Sequence, residues 1–145
     1  MSSAVSVGVA LVFVWLGMVF AISFLEAPLK FQAPGITIPL GLGIGRLVFR
    51  ALNAVEAILA VALIGLIVAD GGWPTGALAS LGVAVAALAV QLIGVRPALT
   101  RRSDAVLADP ENVPTQRSHA HIVYAGFELV KVAGLIAAGS LLLGS

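Results

Sequence analysis

Residues 4–25 read AVSVGVALVFVWLGMVFAISFL, a run without a single charged side chain. A bilayer core of about 30 Å needs roughly 20 apolar residues in a helix, so this stretch is long enough to span a membrane. Three further windows have the same character, at residues 46–69, 76–95 and 119–143. The pattern predicts an all-α integral membrane four-helix bundle, folded as a single transmembrane domain over residues 1–145.

The composition of the whole chain indicates lipid as its solvent. Apolar residues make up 60% of it and charged residues only 10%, whereas an average soluble domain is about 25% charged. The net charge of +1 excludes nucleic acid as a partner, because binding it requires a basic face on the protein. The chain has no cysteine, which excludes disulfides and thiol chemistry. Its richness in Ala, Gly, Val and Leu is typical of a high-GC bacterial genome.

The basic side chains predict the orientation of the bundle. Seven of the eight lie in or beside the two longer connections, residues 26–45 and 98–118, while the short turn at residues 70–75 carries only Asp70. Basic residues stay on the cytoplasmic side of a membrane. We therefore expect both long loops in the cytoplasm and both termini on the periplasmic side of a bacterial inner membrane, with lipids around the bundle. The seven residues are Lys30, Arg46, Arg50, Arg96, Arg101, Arg102 and Arg117.

The two long connections differ in character. Residues 26–45 contain three prolines and four glycines, which disfavour a long helix, but they are too apolar to extend into water. They predict either an elbow along the membrane surface or a re-entrant functional loop. Residues 98–118 are rich in charge and predict a solvated loop with one short helical turn around residues 103–107.

Polar side chains inside the spans are the candidate functional site. Charged groups within a membrane are costly and by default mark function. On the second span Asn53 and Glu56 share one helix face, and a polar stripe on the fourth span begins at His121. We expect these side chains to line a polar cavity that opens toward the cytoplasm. The candidates are Asn53, Glu56, Gln91, His121, Tyr124, Glu128 and Lys131.

Several chemistries are open to such a set. Buried carboxylates exchange protons near neutral pH, so Glu56 and Glu128 could couple to a proton or cation, with Lys131 as their counter-charge. A metal could be held by His121, Glu56 and Glu128, although the Glu-x-x-His spacing of bundle metal sites is absent. His121 could also hold a haem, so the cofactor stays open. A purely structural alternative is an ion pair of Glu128 and Lys131 that fixes helix register.

Three functions follow from these chemistries. The leading hypothesis is a small transporter or channel-like protein that binds or moves a proton, cation or small polar solute. The compact bundle would then act as a homo-oligomer if a solute of any size must cross. The second is a membrane-embedded enzyme or metal protein acting on a lipid-soluble substrate. The third is a non-catalytic assembly subunit whose polar stripes bind a partner helix.

Short motifs add a resemblance to a known family. Residues 26–31 read EAPLKF, residues 43–49 read GIGRLVF, and the fourth span begins with His119 and His121. In these features the chain resembles a family of small four-helix bacterial membrane proteins related to the animal transmembrane protein 205. The resemblance implies the four-helix layout over the whole chain, and no functional residue is carried over from it.

Overall fold

The computed structural model describes residues 1–109, 111 and 119–145. Within them lie four helices that are long and apolar enough to cross a membrane, and no strand is present among those residues. The chain is an all-α four-helix bundle and a multi-pass membrane protein. The first helix is Ser3–Gln32, the second Ile38–Asp70, the third Thr75–Ala108 and the fourth His119–Leu143.

The distribution of polarity is the reverse of that in a soluble protein. Ile58, Val68 and Ile93 point outward with 67%, 79% and 80% of their surface exposed, whereas Glu56 and Lys131 are fully enclosed. Large apolar side chains on the outside and charges on the inside suit a protein whose solvent is lipid.

The first helix continues beyond its predicted end at residue 25. It begins with Ser2, whose hydroxyl accepts from the Val5 amide at 3.1 Å, and it becomes π-helical over Phe20–Glu26 before a last turn that ends at Gln32. The expectation of an irregular connection over residues 26–45 is therefore wrong for most of its length. Only residues 33–37 break the helical path, with Gly35 in a left-handed conformation at φ 80°.

Proline and glycine are tolerated here for two local reasons. Pro39 stands in the first turn of the second helix, where a missing N–H costs nothing, and Thr37 caps that turn through the Leu40 amide at 3.2 Å. Gly41 and Gly45 let the end of the first helix pack closely: a Cβ on Gly41 would lie 2.2 Å from the Phe31 ring. The second helix therefore starts eight residues earlier than the sequence predicted.

The third helix also extends further than predicted. It is α-helical over Thr75–Val90, π-helical over Gln91–Val95 and α-helical again over Arg96–Ala108. The short helical turn expected near residues 103–107 is thus part of a long helix. Pro97 is accommodated because the preceding π turn already shifts the hydrogen-bond register, with the Arg96 amide bonded to the Gln91 carbonyl. The part of the predicted loop at residues 112–118, with Arg117, lies outside the described residues.

Both termini lie at the same end of the bundle, as the sequence predicted. The Ser2 hydroxyl lies 3.3 Å from the Asp70 carboxylate at the end of the second helix. Leu141, near the C-terminus, touches the start of the third helix at Gly76. The turn between those helices begins at Gly71, which is left-handed at φ 70°.

The helices are packed in the order second, first, fourth, third. The third and fourth make the closest pair, because Gly134 brings the fourth helix so near that a Cβ there would lie 2.9 Å from the Ser80 carbonyl oxygen. The second and third helices are adjacent in sequence, but they pack together mainly through Arg96–Ala108, at the end away from the termini, and only slightly along Thr75–Val90. A lipid-facing groove of about 340 Å³ lies between them. Its lining is apolar: Leu63, Ile64, Ile67, Leu78, Leu81, Gly82, Val85, Ala86 and Ala89.

Candidate functional site: a buried cluster of two carboxylates and one lysine

Lys131 is the centre of the polar core. Its side chain is fully enclosed, and its ammonium nitrogen meets an oxygen from each of two other helices and one from its own. The distances from Nζ are 2.6 Å to Glu56 Oε2, 2.5 Å to Glu128 Oε1 and 2.8 Å to Gln91 Oε1. An ammonium group has three N–H donors. All three donors of this lysine therefore have an acceptor.

Glu128 stands one turn before Lys131 on the fourth helix, and both of its oxygens are occupied. Oε1 accepts from Gln91 Nε2 at 2.7 Å in addition to Lys131. Oε2 accepts from the Ser23 hydroxyl at 2.5 Å. Three donors from three helices thus converge on one carboxylate.

Glu56 on the second helix is satisfied on one side only. Its Oε2 accepts from Trp15 Nε1 at 2.7 Å and from Lys131 at 2.6 Å. Its Oε1 is buried and has no hydrogen-bond partner among the described residues. Glu56 lies about 20 Å from the Asp70 end of its helix at about 1.5 Å per residue, which places the cluster deep within the membrane-spanning part.

A second layer of polar groups extends the cluster away from the termini. The Tyr124 hydroxyl donates to Asn53 Oδ1 at 3.3 Å, and the Tyr124 carbonyl accepts from Gln91 Nε2 at 3.2 Å. Within the described part of the chain, the buried amide nitrogen of Asn53 has no hydrogen-bond partner. The Phe49 ring meets the Tyr124 ring edge-on at 5.8 Å between centroids.

The end of the bundle beyond this layer is covered by Lys30. Its ammonium lies 5.9 Å from the centre of the Phe49 ring and 5.5 Å from that of Phe31. Glu26 stands 3.8 Å from it, one turn earlier on the first helix. On the outside of the same end Arg46 forms an ion pair with Asp104, which fastens the extension of the third helix to the second.

Two π-helical turns supply polar groups to Glu128. Ser23 lies within the π turn of the first helix, and Gln91 begins the π turn of the third. Each π turn stands just before a proline, Pro28 and Pro97 respectively. A π turn inserts one extra residue per turn, so it rotates the side chains that precede the proline relative to those that follow, and such turns are frequent at functional sites.

The structure brings together six of the seven predicted site residues, in one hydrogen-bonded group: Asn53, Glu56, Gln91, Tyr124, Glu128 and Lys131. His121, by contrast, is an exposed residue. Among the described residues no group of three His, Asp or Glu side chains could hold a metal ion, so the possible metal site of His121, Glu56 and Glu128 is not formed there. Nothing in the arrangement points to a particular cofactor.

The predicted open cavity is also corrected. Glu56, Gln91 and Lys131 have no exposed surface, because the polar side chains fill the space between the helices by bonding to one another. The apolar groove between the second and third helices does not include any of them. The site is a packed polar core.

Sequence reasoning missed two members of the cluster, Trp15 and Ser23. Both stand in the uncharged first span, where no ionisable residue draws attention. The sequence nevertheless carried a signal for both. A buried tryptophan usually has a hydrogen-bond acceptor for its N–H, and the hydroxyl of Ser23 lies in an apolar helix, where it needs a hydrogen-bond partner.

Fold and site together define a small multi-pass α-helical membrane protein with two carboxylates and one lysine enclosed at its centre. Comparison of the chain with protein-family models, curated proteins and solved structures finds no match.

Proposed function

We propose that the chain is a small membrane transporter or channel-like protein that binds and moves a proton, or a small cation in its place, at Glu56, Lys131 and Glu128. One observation carries this proposal: two carboxylates share one ammonium in a site with no exposed surface. With all three groups ionised the site has a net charge of −1. One more positive charge makes it neutral.

The cost of burying charge explains why this imbalance supports a function. An uncompensated ion in a low-dielectric interior is costly, and such a group normally takes up a proton instead. Even on the lenient insertion scale, a charged side chain at the bilayer centre costs about 2.5–3.5 kcal/mol. An ion pair that only fixed helix register would need one carboxylate. The second one, Glu56, gives the site a place where a proton can bind and leave.

The surroundings of the site support transport over the two other functions. The apolar groove that could accept a lipid-soluble substrate is lined by Leu63, Leu81 and their neighbours, and not by the polar cluster. The polar stripes of the second and fourth helices bond to each other, so in this chain they are already paired and do not present an open surface to a partner helix.

The setting of the protein follows from the same proposal. The basic side chains Lys30, Arg46 and Arg101 stand at the end opposite the termini, which supports a cytoplasmic location for that end and a periplasmic one for the termini in a bacterial inner membrane. Because the interior is filled by side chains, a solute larger than an ion would have to cross between copies, and we propose a homo-oligomer in lipid. Membership of the family related to transmembrane protein 205 is likewise part of the proposal.

Flux measurements on purified protein in liposomes test this function. Vesicles with a pH-sensitive dye inside are given a potassium diffusion potential through valinomycin, and proton entry is followed, with sodium or lithium offered in parallel experiments. We expect uptake by the parent protein that is lost in Glu56→Gln and retained in Glu111→Gln, a matched change at an exposed glutamate. If the parent carries no proton or cation faster than empty vesicles do, the proposal is wrong.

A further inference from the structure

The two carboxylates of the cluster have unequal environments. Glu128 receives three donors, from Lys131, Gln91 and Ser23, and both of its oxygens are bonded. Glu56 receives two donors, from Lys131 and Trp15, and both reach the same oxygen, Oε2. Its other oxygen, Oε1, is buried without a partner. The ionised form of Glu128 is thus the better stabilised of the two, since hydrogen bonds to a carboxylate favour its charge.

We infer that Glu56 takes up and releases the exchangeable proton at Oε1, whereas Glu128 stays ionised as the fixed counter-charge of Lys131. In the neutral site Glu56 is a carboxylic acid, with the O–H bond at the one carboxylate oxygen that has no donor. On release that O–H bond breaks, the proton leaves to solvent, and both electrons stay on Oε1. The site then carries a net charge of −1. The role of this step in transport rests on the proposed function.

Asn53 provides an independent reason for this assignment. Its amide nitrogen is a buried donor without a partner, and Glu56 Oε1 is a buried acceptor without one. The two residues are three apart on one helix and therefore lie side by side on its surface. The Asn53 oxygen accepts from the Tyr124 hydroxyl, so the N–H donors at the other end of the amide remain available. We assign Asn53 as a positioning residue that donates to Glu56 Oε1 once the proton has left.

All four helices contribute to the surroundings of Glu56. The fourth helix presents Lys131, Glu128 and Tyr124, the first presents the neutral indole of Trp15, and the third presents the neutral amide of Gln91. Lys131 favours the ionised form of Glu56, while the negative charge of Glu128 and the enclosure of the site oppose it. The balance between them is what allows Glu56 to exchange a proton.

Trp15 gives a direct readout of this carboxyl. The chain has two tryptophans, so Trp73→Phe leaves Trp15 as the sole indole, bonded to Glu56 Oε2. We propose to titrate this variant in liposomes between mildly acidic and alkaline pH. Infrared difference spectra follow the carboxylic-acid C=O band, and Trp15 fluorescence follows the strength of its N–H bond. We expect the acid band to disappear as the pH rises and Trp15 emission to change with the same midpoint.

Two further variants identify the group that titrates. Glu56→Gln should remove both signals. Asn53→Leu should move the shared midpoint of the two signals to higher pH, because the ionised form of Glu56 loses its donor. Asn53→Gln keeps an amide, so its midpoint should shift less. The titration of Trp73→Phe alone needs no change within the cluster, so this part of the test does not depend on how well the Glu56 and Asn53 variants fold.

The outcomes separate this inference from the proposed function. An acid band that titrates without any change at Trp15 would place the proton on a carboxyl other than Glu56. The absence of any acid band that Glu56→Gln removes would mean that Glu56 has no exchangeable proton. Either result overturns the inference. Titration of Glu56 without flux would leave the inference standing and refute transport. Flux without titration of Glu56 would support transport and overturn the assignment of the proton to Glu56.

Discussion

Replacing Lys131 with Met is the sharpest perturbation of the fold that the structure suggests. Met keeps most of the length and volume of the side chain and removes the ammonium. The substitution leaves Glu56 Oε2 with Trp15 alone and Glu128 Oε1 with Gln91 alone, and Gln91 Oε1 loses its donor. Two carboxylates then face each other across an enclosed space without a counter-charge.

The expected loss of stability is large because the site is fully buried. Removing one partner of a buried ion pair costs about 3–5 kcal/mol, since the remaining charge is uncompensated. Protonation of both glutamates would relieve the charge, so the loss should be greatest at alkaline pH and smaller under acidic conditions. The other lysine of the chain gives the matched control. Lys30 lies at the end of the bundle, 3.8 Å from Glu26, whose side chain is 35% exposed, so removing the Lys30 charge leaves a carboxylate that water can reach and should cost less than the change at Lys131.

Unfolding in mixed micelles measures the difference. Each variant in dodecyl maltoside is titrated with sodium dodecyl sulfate, and loss of tertiary structure is followed by tryptophan fluorescence at two pH values. We expect Lys131→Met to unfold at a far lower detergent fraction than Lys30→Met, and added Glu128→Gln to recover most of the loss at alkaline pH. Equal midpoints for the two Met variants would refute the view that Lys131 holds the bundle together.

Two other predictions concern packing and orientation. Gly134→Ala should lower the free energy of unfolding by about 1–3 kcal/mol in the same assay, because its methyl would lie 2.9 Å from the Ser80 backbone oxygen. Gly126→Ala, with open space around it, should raise it by about 0.5–1 kcal/mol. Equal stability of the two variants would refute the close approach of the third and fourth helices at Gly134. A cysteine introduced at Ser103 should resist a membrane-impermeant thiol reagent in intact cells while one at Leu143 reacts, and labelling at 103 without labelling at 143 would invert the topology.

The four spans could be predicted because length and apolarity are properties of a single helix. The grouping of Asn53 with Glu56, and of Glu128 with Lys131, could be predicted for the same reason, since helical spacing places them on one face. The ends of the helices could not. Pro28, a proline after a π turn, is tolerated in this fold, but its residue type alone is typical of a helix break.

The partners between helices were beyond prediction because they depend on rotation about each helix axis. Nothing in the spacing of the first span shows that Trp15 faces Glu56 and that Ser23 faces Glu128, since Trp15 lies in the α-helical part of the helix and Ser23 lies in the π turn that follows. The polar stripe of the fourth span also misled at its beginning. His121 is seven residues before Glu128 and so lies only about 20° from it around the helix, but it stands about two turns nearer the end of the helix and is exposed there.

The chain can be viewed as two halves with the same design and unequal results. Each half has a helix with a π turn before a proline, followed by a helix with a buried glutamate, and Glu56 and Glu128 hold equivalent places 72 residues apart. Only the second half carries a lysine one turn further on. Both π turns deliver their polar side chain to Glu128, and neither delivers one to Glu56. In the proton exchange that we propose, this asymmetry makes Glu128 the fixed charge and leaves Glu56 free to exchange a proton. A symmetric site with a donor on every oxygen would hold both glutamates in the same protonation state and could not exchange a proton at one of them.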